Sequence, residues 1–89
     1  MMVNVEVSKA ICDIGTRQIE NSNITISEML NLLSQESEVF RRNVFTEENE
    51  ISSHILIFVN SSDYRAKGGA DYVLNDNDDI KILALLGGG

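Results

Sequence analysis

The chain has 89 residues, of which 43% are hydrophobic and 24% charged, and its 7 basic and 14 acidic side chains give it a net charge of −7. This length supports one small domain, and the sequence contains neither an apolar run of about 18 residues for a membrane span nor the pattern of a signal peptide. The only adjacent basic pair, Arg41-Arg42, lies among glutamates, so we expect a basic protein surface, and no nucleic acid or membrane, as the partner.

The first predicted elements are two strands that form a hairpin. Residues 2–8 alternate between apolar and polar side chains, with a valine at every second position from residue 3 to residue 7, which is typical of a half-buried strand. Residues 14–16 supply a turn that contains glycine, and residues 17–20 predict the second strand.

The best-defined element is a helix over residues 26–35. Thr25 precedes Glu28 by the spacing of a capping box, in which each side chain pairs with the backbone N–H of the other residue. A stripe of apolar residues follows at helical spacing: Ile26, Met29, Leu30 and Leu33. Residues 36–50 have a weaker pattern, which we interpret as a charged excursion with some helix, held by two apolar pairs. These pairs are Val39-Phe40 and Val44-Phe45.

The C-terminal half predicts two further strands separated by polar turns. The apolar run over residues 55–59 is typical of a central strand covered on both faces, and residues 60–63 end it with turn-forming side chains. Residues 68–69 mark a loop, residues 72–74 a short extended piece, and residues 80–86 the last strand. This order predicts an α+β fold of the β-grasp type, a mixed sheet wrapped around one main helix with the two end strands parallel in its centre.

The chain closes with Gly87-Gly88-Gly89, which has no side chain to add to a core. Ordering glycine costs more entropy than ordering any other residue, so the use of this segment is geometric: a bare backbone of roughly 10 Å can enter a narrow slot and present its terminal carboxylate. A frayed chain end is the alternative interpretation. We expect a β-grasp domain over residues 1–86 and a flexible glycine tail over residues 87–89.

The segment before the glycines favours a tail that presents its terminal carboxylate over a frayed chain end. Residues 75–89 combine an acidic turn, an apolar strand and terminal glycines, and they resemble the closing segment of the ubiquitin-like sulfur carriers, which include MoaD, ThiS and the ubiquitin-related modifier. Residues 55–60 are similar to the apolar strand of that family, which closes in asparagine. Residues 62–64 and 71–74 most resemble the ubiquitin-related modifier, and residues 25–30 the helix start of MoaD. The fold that the resemblance implies is the ubiquitin-like β-grasp.

The resemblance implies that the terminal carboxylate of Gly89, or of Gly88 after trimming, is the reactive group, and that Gly87 threads the partner's slot. A carboxylate is an anion at neutral pH and resists nucleophilic attack, so it must be activated by adenylation. The chain has no glycine-rich phosphate-binding loop, so we expect it to be no enzyme and to bind no cofactor itself. An E1-like adenylyltransferase of the MoeB or ThiF type would use ATP and magnesium to activate it, and sulfur would then replace the adenylate.

Such a partner also needs a docking surface beside the tail. Our candidates lie at the root of the tail: Leu83, Leu85 and Leu86.

Other residues with reactive or metal-binding side chains have simpler interpretations. Cys12 is expected to be a small buried or half-buried residue, and His54 an exposed residue at the start of a strand. The aspartates of residues 76–79 lack the glycine and the distal glutamate of a calcium loop, so we interpret them as a solvated turn and expect no metal site.

The function that the resemblance implies is that of a cytoplasmic sulfur carrier, and a single cysteine fits a reducing compartment. Its sulfur would go to molybdopterin, with the chain as a MoaD-like small subunit beside a MoaE-type large subunit, or to tRNA thiolation. Two alternatives stay open. In the first, the chain is a ubiquitin-like protein modifier that is joined to target lysines through its C-terminal Gly-Gly. In the second, it is an interaction module whose tail takes part in no reaction.

Overall fold

The N-terminal hairpin forms where the alternating valines predict it. In the computed structural model, which describes residues 2–20 and 23–85, strand β1 (Val3–Val7) pairs antiparallel with strand β2 (Thr16–Ile19). All three valines of β1 are buried, and the residues between them are exposed. Gly15 has a φ of 66° before β2, a left-handed conformation that glycine adopts without steric cost.

Helix α1 (Ile26–Glu36) begins at the predicted capping box. The Glu28 backbone N–H donates to Thr25 Oγ1 at 3.1 Å, and the Thr25 N–H donates to Glu28 Oε1 at 2.9 Å. The predicted apolar stripe is buried, namely Ile26, Met29, Leu30 and Leu33. Local propensity and the packing of one face therefore agree along the whole helix.

A second helix, α2 (Glu38–Val44), replaces much of the predicted charged excursion. Ser37 Oγ caps it by accepting from the Phe40 backbone N–H at 3.1 Å. Phe40 and Val44 lie one helical turn apart and are fully buried, whereas Val39 is 43% exposed. Only one residue of that predicted apolar pair reaches the core, because consecutive residues of a helix point about 100° apart.

The remaining strands complete a mixed five-stranded sheet. They are β3 (Ile55–Val59), β4 (Ser62–Asp63) and β5 (Asp79–Ala84), and the spatial order is β2-β1-β5-β3-β4. The predicted parallel pairing of the two end strands is confirmed, since β1 and β5 are parallel neighbours. Strand β3 is an interior strand between β5 and β4, as predicted, but the prediction that it is covered on both faces is wrong. Strand β5 is central, and Leu56 and Phe58 of β3 are only half-buried, because the helices pack against the other face.

A tight hairpin follows β3 where the sequence predicts only a turn. Asn60 and Ser61 have φ values of 50° and 73°, the left-handed pair of conformations that reverses a chain between two strands. Two short 3-10 helices come next: Tyr64–Lys67 and Gly69–Asp71. The extended piece predicted over residues 72–74 is confirmed, because Val73 forms an isolated antiparallel bridge with Thr25.

One carboxylate is buried at the edge of the core. Asp78 is 6% exposed, and its Oδ1 accepts a hydrogen bond from Asn60 Nδ2 at 2.8 Å. Its Oδ2 accepts from the Tyr72 hydroxyl at 3.0 Å and from the Asn75 backbone N–H at 2.8 Å. Burial raises the pKa of Tyr72, so its hydroxyl keeps the proton that it donates. The prediction of a solvated turn over residues 76–79 is therefore wrong for Asp78, which ties the start of β5 to the end of β3.

Candidate functional site

The root of the predicted tail is held on both sides by backbone hydrogen bonds. On one side, the Ile82 carbonyl accepts from the Ser8 N–H at 2.9 Å. On the other, the Leu85 N–H donates to the His54 carbonyl at 2.7 Å, which extends the pairing of β5 with β3 beyond the strand itself. Four residues that carry predictions lie outside the described residues: Leu86, Gly87, Gly88 and Gly89. The described chain thus ends on a fixed strand in the middle of the sheet.

Strands β3 and β5 present a second face that the helices do not cover. Leu83 lies opposite Leu56, and Lys81 lies opposite Phe58. The alternation of β5 continues to Leu85, which is 49% exposed and follows Leu83 by two positions. The predicted docking residues Leu83 and Leu85 therefore share one surface with two residues of β3. We call this surface the outer apolar patch: Leu56, Phe58, Leu83 and Leu85.

Charged side chains border the outer apolar patch. Lys81 pairs in register with Glu6 of β1, and Asp63 of β4 lies opposite Phe58. The Arg65 guanidinium donates hydrogen bonds to Asp63 at 2.8 and 3.1 Å. These bonds lower the pKa of Asp63 to about 2, so its carboxylate is ionised at neutral pH. An apolar centre with a charged rim is the usual composition of a protein-docking surface.

Sequence reasoning misses the part of the outer apolar patch that β3 contributes. An unbroken apolar run predicts a buried strand but does not say how much of each face is covered. Leu56 and Phe58 stay half-buried because α1 and α2 pack against the opposite face of the sheet. A sharper signal is the exposed partner Lys81, which shows that the same face of β5 meets solvent.

The other candidate residues take the positions that the sequence predicts. Cys12 is buried and His54 is exposed just before β3. Within residues 2–20 and 23–85, no three His, Cys, Asp or Glu side chains come close enough together to hold a metal ion. No helix in that part of the chain is long and apolar enough to cross a bilayer.

The chain matches one protein family over nearly its whole length. The family model described as Urm1 (Ubiquitin related modifier) matches residues 2–89. The ubiquitin-related modifier 1 homolog of Bombyx mori is 31% identical over 70 residues, which cover 79% of this chain. The same alignment covers 64% of the silkworm protein, so the chain spans a little less than two thirds of that relative.

Two solved structures show the same fold at lower identity. SAMP1 from Haloferax volcanii superposes with a TM-score of 0.82 at 14% identity, and the match covers 100% of both chains. A chain of the BexX/CysO complex of Amycolatopsis orientalis superposes with a TM-score of 0.76 at 24% identity, covering 98% of this chain and 99% of its own. These matches confirm the predicted α+β, ubiquitin-like β-grasp fold, with α2 as an addition to the one main helix.

Proposed function

This chain belongs to the Urm1 (ubiquitin-related modifier) family, and we propose that it is a sulfur carrier activated at its C-terminal glycine carboxylate. The observation that carries the proposal is the root of the tail. Strand β5 is hydrogen-bonded on the β1 side as far as Ile82 and on the β3 side as far as Leu85, and only one residue separates Leu85 from the three terminal glycines. A fixed strand followed by residues without side chains suits delivery of a carboxylate into a narrow catalytic site on another protein.

The chemistry requires two steps at the same carbon atom. The carboxylate of Gly89, or of Gly88 after trimming, attacks the α-phosphate of ATP and releases pyrophosphate, which leaves an acyl adenylate. Sulfide sulfur then adds to that carbonyl carbon and AMP departs, which gives the thiocarboxylate directly. If a persulfide supplies the sulfur, the product is an acyl disulfide, and a thiol reductant cleaves its S–S bond to give the thiocarboxylate and a disulfide. Gly87 would occupy the entrance of the slot. The ATP and magnesium belong to the activating partner, because the chain carries no glycine-rich phosphate-binding loop.

The activating partner in this proposal is an E1-like adenylyltransferase that docks on the outer apolar patch. The patch lies on the same strands that lead to the tail, so docking there brings the terminal carboxylate towards the partner's active site. The CysO-containing complex is a neighbour of the same fold seen together with another protein. The net charge of −7 favours a partner whose approach surface is basic.

Family membership favours tRNA thiolation as the destination of the sulfur. A MoaD-like role beside a MoaE-type subunit of molybdopterin synthase is the second destination that the sequence leaves open. The modifier function uses the same activated terminus, since attack by a lysine amine on the adenylate forms an isopeptide bond and releases AMP. The family name itself favours this modifier function as the second candidate.

Intact-mass spectrometry tests the proposed function. The full chain is incubated with an E1-like adenylyltransferase from its own organism, ATP, magnesium and sulfide. We expect a mass gain equal to the replacement of one oxygen by sulfur, located in the last glycine by fragmentation. A reaction without ATP is the control. Lysine-linked conjugates without sulfur exchange would assign the modifier function, and an unchanged mass with an enzyme that activates another carrier would contradict both functions.

Substitution in the outer apolar patch should weaken activation without changing its chemistry. Leu85→Ala removes an apolar side chain that is 49% exposed, and we expect the KM for adenylation to rise about tenfold, since a docking leucine contributes roughly 1–2 kcal/mol. The kcat should stay unchanged. Val73→Ala is the matched control, because Val73 is 45% exposed but lies beside Thr25 and away from the patch. Equal KM values for the two variants would contradict docking at Leu85.

A further inference from the structure

A cleft of about 330 Å³ lies between β2 and the C-terminal half of α1. Its apolar wall is formed by Ile19, which is half-buried, by Leu33, which is buried, and by Leu32, which is 38% exposed. The volume is at the lower end of the about 300–1,000 Å³ typical of ligand pockets. The cleft therefore has room for a few side chains and not for a large cofactor.

The backbone of β2 beside this cleft is an open sheet edge. Strand β2 is last in the spatial order, and among the described residues its only strand partner is β1. The Val7 N–H donates to the Gly15 carbonyl at 3.1 Å, and hydrogen-bonded pairs recur at every second residue of an antiparallel ladder. The N–H and C=O groups of Thr16 and Gln18 must consequently point away from β1. They are free to pair with a further strand.

One kind of occupant satisfies both the open edge and the cleft. A strand that pairs with Gln18 would alternate its side chains between the two faces of the sheet, and those on the helix side would enter the cleft against Ile19 and Leu32. The backbone hydrogen bonds would supply affinity, and the cleft would select apolar side chains at alternate positions.

The charges around the cleft define the ends of that occupant. The charged residues that line the cleft are Arg17 and Glu36, and two further carboxylates lie nearby in the chain, Glu20 directly after β2 and Glu28 on α1. Glu28 and Glu36 lie one helical turn on either side of Leu32 on α1. Arg17 Nε pairs with Glu36 Oε2 at 3.1 Å, but the Glu36 side chain is 51% exposed and can take a second cation. An occupant with basic ends fits this border, whereas a second copy of the chain would bring another net charge of −7.

We propose that β2 and α1 form a second binding site, which takes an extended peptide segment with apolar residues at alternate positions and basic residues at its ends. The segment adds to the sheet as a strand beside β2. This site lies on the helix side of the sheet, and the outer apolar patch lies on the opposite side. Both can be occupied at once, so the chain can hold a protein partner while its activating enzyme or sulfur acceptor engages the tail.

A titration followed by nuclear magnetic resonance tests the site. The probe is the acetylated and amidated peptide Lys-Ser-Val-Thr-Ile-Ser-Lys, added to the isotope-labelled full chain. We expect amide shifts confined to β2 and α1, with Gln18 and Leu32 among the largest. The matched peptide Glu-Ser-Val-Thr-Ile-Ser-Glu should bind at least about tenfold more weakly, because only its charge is reversed. No shift at roughly millimolar peptide, or shifts at the outer apolar patch instead, would overturn the proposal.

Two variants test separately how much the open edge of β2 and the cleft contribute to peptide binding. Gln18→Pro removes the outward N–H and leaves the hydrogen bonds between β1 and β2 in place, and proline is tolerated on edge strands. Leu32→Gln removes apolar surface from the cleft. Each should weaken binding of the lysine peptide about tenfold or more, whereas Val39→Gln, which alters a similarly exposed apolar residue of α2, should not. If Gln18→Pro does not fold, Leu32→Gln decides. Shifts at β2 that depend on protein concentration without peptide would show self-pairing and overturn the assignment.

Discussion

Deletion of Gly88 and Gly89 should abolish thiocarboxylation and leave the fold unchanged. The deletion withdraws the terminal carboxylate by two residues, which is about 7 Å of extended chain. Reacting atoms must approach to about 3–3.5 Å, and a misplacement of about 1 Å can cost about 100-fold in rate. We therefore expect at least about a 100-fold loss in pyrophosphate release and no sulfur exchange in the intact mass. The melting temperature should not move, because the deleted residues have no side chains.

A single deletion distinguishes the two glycines that the sequence leaves open. Removal of Gly89 alone leaves a Gly-Gly end, so retained activity would show that Gly88 can carry the sulfur. Lost activity would assign the reaction to Gly89. In both cases the double-deletion variant should still bind the activating enzyme through its outer apolar patch and inhibit activation of the intact chain competitively. Thiocarboxylation of the double deletion at the rate of the intact chain would contradict the proposed role of the tail.

The elements that follow from local pattern alone are the ones that the sequence predicts well. The alternation of β1 and the capping box between Thr25 and Glu28 are each contained within a few residues, and the structure confirms both. The parallel pairing of β1 with β5 follows from the order of elements and the rules of chain connection. These features need no information about distant packing.

The features that the sequence does not predict depend on residues far apart in the chain. The half-exposure of Phe58 follows from the placement of both helices on the other side of the sheet. The burial of Asp78 depends on Asn60, which lies 18 residues earlier, and on Tyr72, which lies 6 residues earlier. A cluster of aspartates predicts a solvated turn on local grounds, and the tertiary partners reverse that prediction at one position only. The apolar patch and the buried carboxylate are thus both properties of the assembled fold.

Asp78→Ala should lower the free energy of unfolding by about 3 kcal/mol. The substitution leaves three donors without their acceptor: Asn60 Nδ2, the Tyr72 hydroxyl and the Asn75 backbone N–H. Hydrogen bonds to charged groups contribute about 1.5–3 kcal/mol each. Because bonds that share one acceptor group are not additive, the expected loss is smaller than the summed contributions of three separate bonds. Asp78→Asn keeps one acceptor oxygen but places an amide donor against other donors. We expect it to lower the free energy of unfolding by about 2 kcal/mol. Urea denaturation measures each value.

The neighbouring carboxylate supplies the control for this prediction. Asp79 is exposed, so Asp79→Ala should change the free energy of unfolding by less than about 0.5 kcal/mol. Its backbone still pairs with Asn60, whose Oδ1 accepts the Asp79 N–H at 2.9 Å and whose N–H donates to the Asp79 carbonyl at 2.8 Å. If the network acts as a unit, Asp78→Ala should also cost less in a Tyr72→Phe background than in the native chain. Equal costs in the two backgrounds, or equal effects at Asp78 and Asp79, would contradict the view that this carboxylate anchors the strand leading to the tail.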